Sequence, residues 1–149
     1  MSTQQMYRIA YVWHERPEGK PQIDGEPDLV RWNETPYPWT SRAVRCEIVR
    51  SDYGGNWCGY VHVPMDHPWY GVETRDLPDE ADNAVHGGIT LSTPSGCIGW
   101  DAAHLHDTQP YRTDREGFGH YVTAEEAETY TRALARLALA VMPATEETP

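Results

Sequence analysis

The chain has 149 residues, with 39% hydrophobic and 23% charged side chains and a formal net charge of −11. That length and balance fit one folded domain over 1–149 and exclude a disordered chain. The acidity argues against free nucleic acid as a partner, and no run approaches the ~20 apolar residues that a membrane span needs.

The N-terminal MSTQQMYRIAYVWHERP has no basic run ahead of an apolar segment, so cytoplasmic residence is expected, with residues 1–6 and 143–149 as flexible ends. Residues 7–13, YRIAYVW, carry the aromatic and β-branched types of a first strand. From 14 to 40 the chain holds Pro17, Pro21, Pro27, Pro36 and Pro38, which predicts a long ordered loop anchored by Trp32, Tyr37 and Trp39. Residues 44–50 and 57–63 alternate around the turn at 51–56 and read as a hairpin, with Val44, Cys46 and Ile48 on one face. Asp76 to Asn83 reads as an acidic loop. A second hairpin is expected from 85–92 and 97–101, turned by Thr93-Pro94-Ser95-Gly96. The last element is a helix. Thr123 and Glu126 have capping-box spacing, and Ala127, Tyr130, Leu134, Leu137 and Val141 form an apolar stripe ended by Pro143. The expected fold is therefore α+β, a small antiparallel sheet of about five strands packed by one C-terminal helix.

Cys46, Cys58 and Cys97 are odd in number and form no CxxC pair, so small buried hydrophobes are expected in place of disulfides or a zinc cage.

In the second hairpin, a four-residue turn would set Ser92 opposite Cys97 and Gly88 opposite Asp101. Ile89, Leu91, Ile98 and Trp100 would then face the core, leaving His86, Gly88, Thr90, Gly99 and Asp101 on the other face. Gly87, Gly88 and Gly99 would leave a shallow hollow there. A helical turn over DAAHLHD would bring Asp101, His104 and Asp107 to one side. These residues suit proton transfer, with His86 as base or acid, Asp101 orienting it and Thr90 and His104 alongside. His86, Asp101, His104 and Asp107 equally form a nitrogen and oxygen ligand set for zinc, manganese or iron. The competing reading is a structural His–Asp hydrogen-bonded pair. His106 and His120 are expected to be exposed and inert, and His67 belongs either to a turn or to a pocket rim.

Taken together, CGYVHVPMDHPWYG, VHGGITLS and GWDAAHLHD, with the earlier Glu26-Pro27-Asp28 and Trp32, resemble a family of small uncharacterised bacteriophage and prophage proteins. The resemblance covers about residues 26–142 and departs from the family's blocks at Ala102, where cysteine is usual, and at His106, where glycine is usual. It implies a viral origin and the cytoplasm of an infected bacterium, with no established activity. Three function classes follow. One is an enzyme hydrolysing a polar or phosphorylated, nucleotide-like substrate, although no HExxH, P-loop or GxSxG signature is present. Another is a binding module that sequesters a host nucleotide signal, with Tyr60, His67, Trp69, Tyr70 and Arg112 or Arg115 as ligand contacts. The third is an acidic inhibitor that occupies a host protein's basic groove.

Overall fold

A computed structural model describes residues 10–11, 16–36, 42–112 and 119–143. The fold is α+β. An antiparallel sheet of six strands runs in the order β1-β2-β3-β4-β6-β5, with one long C-terminal helix packed on it. The strands are β1 (Ala10–Tyr11), β2 (Leu29–Glu34), β3 (Val44–Arg50), β4 (Trp57–His62), β5 (Leu91–Ser92) and β6 (Cys97–Asp101). Two helices, α1 (Asp79–Ala84) and α2 (Ala124–Ala140), complete it together with a 3-10 turn at Thr74–Asp76. Among the described residues no helix is long and apolar enough to cross a membrane. Most of the expected first strand, the anchors Tyr37 and Trp39, and Arg115 lie outside the described residues.

The first hairpin forms as its alternation dictates. Val44, Cys46 and Ile48 are buried on one face of β3, and Ile48 pairs with Gly59 across the ladder. The long proline-rich loop is corrected. Its stretch Leu29–Glu34 is a full strand, paired with β3 from Leu29–Val49 to Glu34–Val44. The prolines bracket this stretch at Pro27 and Pro36 and leave it free to donate ladder hydrogen bonds. Val30, Trp32 and Glu34 alternate into the core, where the buried Glu34 carboxylate meets Trp32 Nε1 at 3.0 Å, Arg132 at 3.1 Å and Arg136 at 2.9 Å.

A second correction falls on the expected acidic loop, part of which is α1. Its Asp79, Glu80 and Asp82 occupy the first turn, where the helix dipole favours negative charge, and Ala81 is buried.

The capping box of α2 is present, with Thr123 Oγ1 accepting from the Glu126 N–H at 3.1 Å. Its buried face is rotated from the expected stripe, sharing only Ala127 and Leu134 with it. Ala124, Ala127, Thr131, Leu134, Ala135, Ala138 and Leu139 are buried, Tyr130 and Leu137 pack at the margin, and Val141 is exposed. Small residues let the helix lie close to the sheet, and Thr131 Oγ1 accepts from Trp100 Nε1 at 3.0 Å. Leu134→Ala, which removes a fully buried side chain from this face, should lower unfolding stability by ~2–5 kcal/mol in urea melts.

The second hairpin is shorter and slipped by one residue. Ser92 pairs with Ile98 and Leu91 with Gly99, while Thr93 N–H bonds the Cys97 carbonyl at 2.9 Å. Gly96, at φ +87°, makes a three-residue connection closed by a residue in the left-handed region, in place of the expected four-residue turn. A one-residue slip moves a strand's side chains to the opposite face. Leu91 is accordingly exposed at 38%, whereas Ile98 and Trp100 stay buried. Residues 85–90 are not a strand.

Candidate metal centre

Freed from the sheet, Val85–Gly88 forms a turn in which Gly88 N–H bonds the Val85 carbonyl at 3.2 Å. Gly87 stands at its third position with φ +71°, a value that type II turns require there and that side chains resist. This turn carries His86 to the helix side of the sheet. Its ring lies 6.4 Å from that of Trp100 and 5.8 Å from that of Tyr130, centroid to centroid. Beyond β6 the chain makes another turn, closed by Asp107 N–H to the His104 carbonyl at 3.0 Å. That turn covers only 104–107 of the expected helical turn over 101–107, and it places His104 and Asp107 side by side without Asp101. A Cβ on Gly87 would come within 2.3 Å of the His104 ring, so the glycine also admits this imidazole.

Both rings converge on one carboxylate. His86 Nε2 stands 2.7 and 2.9 Å from the two Asp107 oxygens. His104 donates its backbone N–H to Asp107 Oδ2 at 2.9 Å, with its Nδ1 at 3.2 Å from the same atom. Asp107 is buried, while the side chains of His86 and His104 remain 26% and 37% exposed. Burial pushes the Asp107 carboxyl up, but the His104 N–H and the His86 ring outweigh it and hold the group below its ordinary value. The segment is pinned from behind, where Thr108 N–H bonds the His120 carbonyl and His120 N–H that of His106, each at 2.9 Å.

One ligand atom from each of His86, His104 and Asp107 lies within 4.8 Å of the other two. Zinc bonds to imidazole and carboxylate at ~2.1 Å, so two ligand atoms on one tetrahedral ion stand roughly 3.4 Å apart. The contacts of 2.7 and 3.2 Å to Asp107 therefore need to open by less than ~1 Å to seat an ion between the three side chains.

The remaining expected site residues divide. Asp101 is not part of this centre, and its pairing with His86 is corrected. It follows Trp100 in the strand and so points to the opposite face, where its carboxylate accepts from Thr90 Oγ1 at 2.8 Å and the Ala103 N–H at 3.1 Å. Thr90 goes with it. Asp101, Thr90 and Tyr60 line an outer hollow of about 440 Å³ together with Tyr53, Asn56 and Gln109. Arg112 lies 5.2 Å over the Tyr53 ring at its edge. The hollow expected at the glycines does not form. The Tyr60 ring fills the space beside Gly99, where a Cβ would meet it at 2.6 Å, and the Asp82 carboxylate fills that beside Gly88 at 2.8 Å.

His67 belongs to the turn and not to a pocket. Its Nδ1 accepts from the Trp69 N–H at 2.9 Å, so Nε2 carries the proton and donates to the Ala138 carbonyl at 2.7 Å. Burial pushes its pKa down, in keeping with a neutral ring. Trp69 is buried, and Tyr70 packs against the core. His106 and His120 are exposed, as expected, and His120 Nε2 meets Glu126 at 3.0 Å. Of the cysteines only Cys46 is buried; Cys58 and Cys97 are partly open on the outer sheet face, a correction explained by their place opposite the helix.

Sequence reasoning named all three residues of this cluster but chose Asp101 over Asp107 as the partner of His86. Strand alternation separates Asp101 from Trp100, but the packing of His86 against Trp100 comes from two turns outside the strands and left no signal in the sequence. Compared with family models, curated proteins and solved structures, the chain matches none of them.

Proposed function

We propose that the protein is a metal-dependent hydrolase of small polar, phosphorylated substrates, with His86, His104 and Asp107 holding a divalent transition metal. One observation carries this reading: two partly exposed imidazoles converge on a single buried carboxylate, with ligand atoms within 4.8 Å of one another. Three protein ligands and an open solvent side are the arrangement of catalytic rather than structural zinc sites. The mixed nitrogen and oxygen set suits zinc, manganese or iron. A divalent metal held by these three side chains would supply Lewis-acid chemistry toward a water molecule and a phosphoryl group. Trp100 and Tyr130 pack against His86 and fix its ring. The blocks that carry the phage-family resemblance contain all three ligands, and the cytoplasm of an infected bacterium is the setting we propose.

A second reading rests on the outer hollow. Its Tyr53 and Tyr60 rings, with Arg112 over Tyr53 and the amides of Asn56 and Gln109, offer stacking and hydrogen bonds to a nucleotide held without chemistry. The test is turnover of bis(p-nitrophenyl) phosphate and of nucleotides by chelator-stripped protein reloaded with zinc or manganese. Metal-dependent hydrolysis, reduced ~10²-fold or more by His104→Ala and kept by Asp101→Asn, is expected. Turnover unchanged by chelation or by His104→Ala would contradict the hydrolase. Nucleotide binding without turnover, lost in Tyr60→Ala, would establish the second reading instead.

A further inference from the structure

We propose that Cys97 is a reactive thiol, assisted by His62 and Glu47, that exchanges with small-molecule disulfides. The site lies on the sheet face opposite the helix and is independent of the metal centre. His62 and Cys97 stand directly opposite each other in the β4–β6 ladder. Val63 N–H bonds the Gly96 carbonyl at 2.9 Å, which makes His62 and Cys97 a pair flanked by ladder hydrogen bonds rather than joined by them. Such pairs have Cα atoms about 4.5 Å apart and bring their side chains closest. On the other side, His62 Nε2 meets Glu47 Oε1 at 3.1 Å, and Glu47 is itself held by Arg31 at 3.2 Å. Arg31, Glu47, His62 and Cys97 thus form a row across β2, β3, β4 and β6.

Since Glu47 occupies Nε2, the other nitrogen of His62 is the one available to the thiol. Contact with Cys97 first, and with Glu47 second, pushes His62 up to about 9 against the effect of burial. The ring is therefore an imidazolium at neutral pH, a cation that the ladder register sets beside the Cys97 sulfur. Arg45, paired with His62 across β3–β4, and Tyr60, on the same strand face, are the other titratable groups beside it. Neither remaining thiol faces a histidine across the ladder, and the one cation acting on Cys46, Arg132, is outweighed by burial and Glu34. Burial pushes Cys58 up to about 11, with Asp101 adding to the rise, and pushes Cys46 higher still.

In the exchange, the Cys97 sulfur attacks one sulfur of the disulfide. A new S–S bond forms as the old one breaks, and the departing thiolate takes the proton of His62. Cys97 is oxidised to a mixed disulfide, and half of the small disulfide is reduced to a thiol.

The experiment follows the native protein with the chromogenic disulfide dithiobis(nitrobenzoate) near neutral pH and assigns each modified cysteine by peptide mass spectrometry. Cys97 should react ~tenfold faster than Cys58, and faster than the same thiol in the urea-unfolded chain. Cys97→Ser should remove the fast phase, and His62→Gln should slow Cys97 toward the unfolded rate. Cys97 reacting no faster than Cys58 or than in urea would overturn the proposal, as would an unchanged rate in folded His62→Gln. The comparison of native with unfolded chain decides the matter even if His62→Gln does not fold.

Discussion

Arg50→Ala is expected to be among the most destabilising single changes in this chain, lowering unfolding stability by ~3–5 kcal/mol in urea melts. Arg50 is only 2% exposed, and every part of its guanidinium is engaged. Its Nε meets Asp28 at 2.9 Å, one terminal nitrogen bonds the Gly55 carbonyl at 2.7 Å and Tyr121 at 2.9 Å, and the other meets Glu26 at 3.3 Å and the Pro27 carbonyl at 3.2 Å. The cation also lies 4.3 Å over the Trp57 ring. Removing it leaves the buried Asp28 carboxylate with only the partly exposed Arg16, at 3.1 Å, as counter-charge, and takes the Arg50 donors from two carbonyls. Glu26 also accepts from the Ala124 N–H at 2.7 Å, so the damage should reach the first turn of α2. Lys at the same position should rescue little, because an ammonium cannot reproduce the fork of donors. A loss below about 1 kcal/mol would mean that this network is solvated in practice.

Asp107→Asn should remove zinc stabilisation altogether. A metal bound only by the folded protein raises stability by mass action, ~2.7 kcal/mol when its free concentration is one hundred times Kd. Wild-type protein should therefore melt higher with zinc than with chelator, and the gap should shrink below pH ~6.5, where free imidazoles protonate and compete with the metal. The amide put in place of the carboxylate cannot supply the anionic oxygen that both histidines address, so the variant's melt should be the same with and without zinc. The variant also reports on the carboxylate itself. Because Asp107 is held below its ordinary value of 3.8, the wild-type protein has that contribution in full above this value and loses it as pH falls below it. Metal-free Asp107→Asn should lack this part of the acid loss. A zinc-dependent shift of equal size in the variant would remove Asp107 from the centre.

How far these features could be read from the residues depends on the range of the interaction. The β3–β4 hairpin and the start of α2 were legible because their signals are local: period-two alternation around one turn, and a Thr–Glu capping box. β2 was hidden because five prolines between 14 and 40 outweighed a six-residue alternation lying between two of them. The second hairpin failed on one torsion. Gly96 at positive φ closes a three-residue connection, and the resulting slip put Leu91 outside and released 85–90 from the sheet. The site shows the same division. The stretch His86–Asp107 was recognisable from its concentration of histidines and aspartates, yet which aspartate meets His86 depends on how two turns fold back over Trp100. The row of Glu47, His62 and Cys97 was not legible at all, since it needs β6 to pair with β4, two strands far apart along the chain.

The most direct test of the central claim is a calorimetric titration of chelator-stripped protein with zinc at neutral pH, run on the wild type, Asp101→Asn, His104→Ala and Asp107→Asn. One ion should bind per chain in the wild type and in Asp101→Asn with similar affinity. Binding at that site should weaken ~10²-fold or more in His104→Ala and vanish in Asp107→Asn. No zinc binding by the wild type, or equal loss in Asp101→Asn and Asp107→Asn, would contradict a centre built from His86, His104 and Asp107.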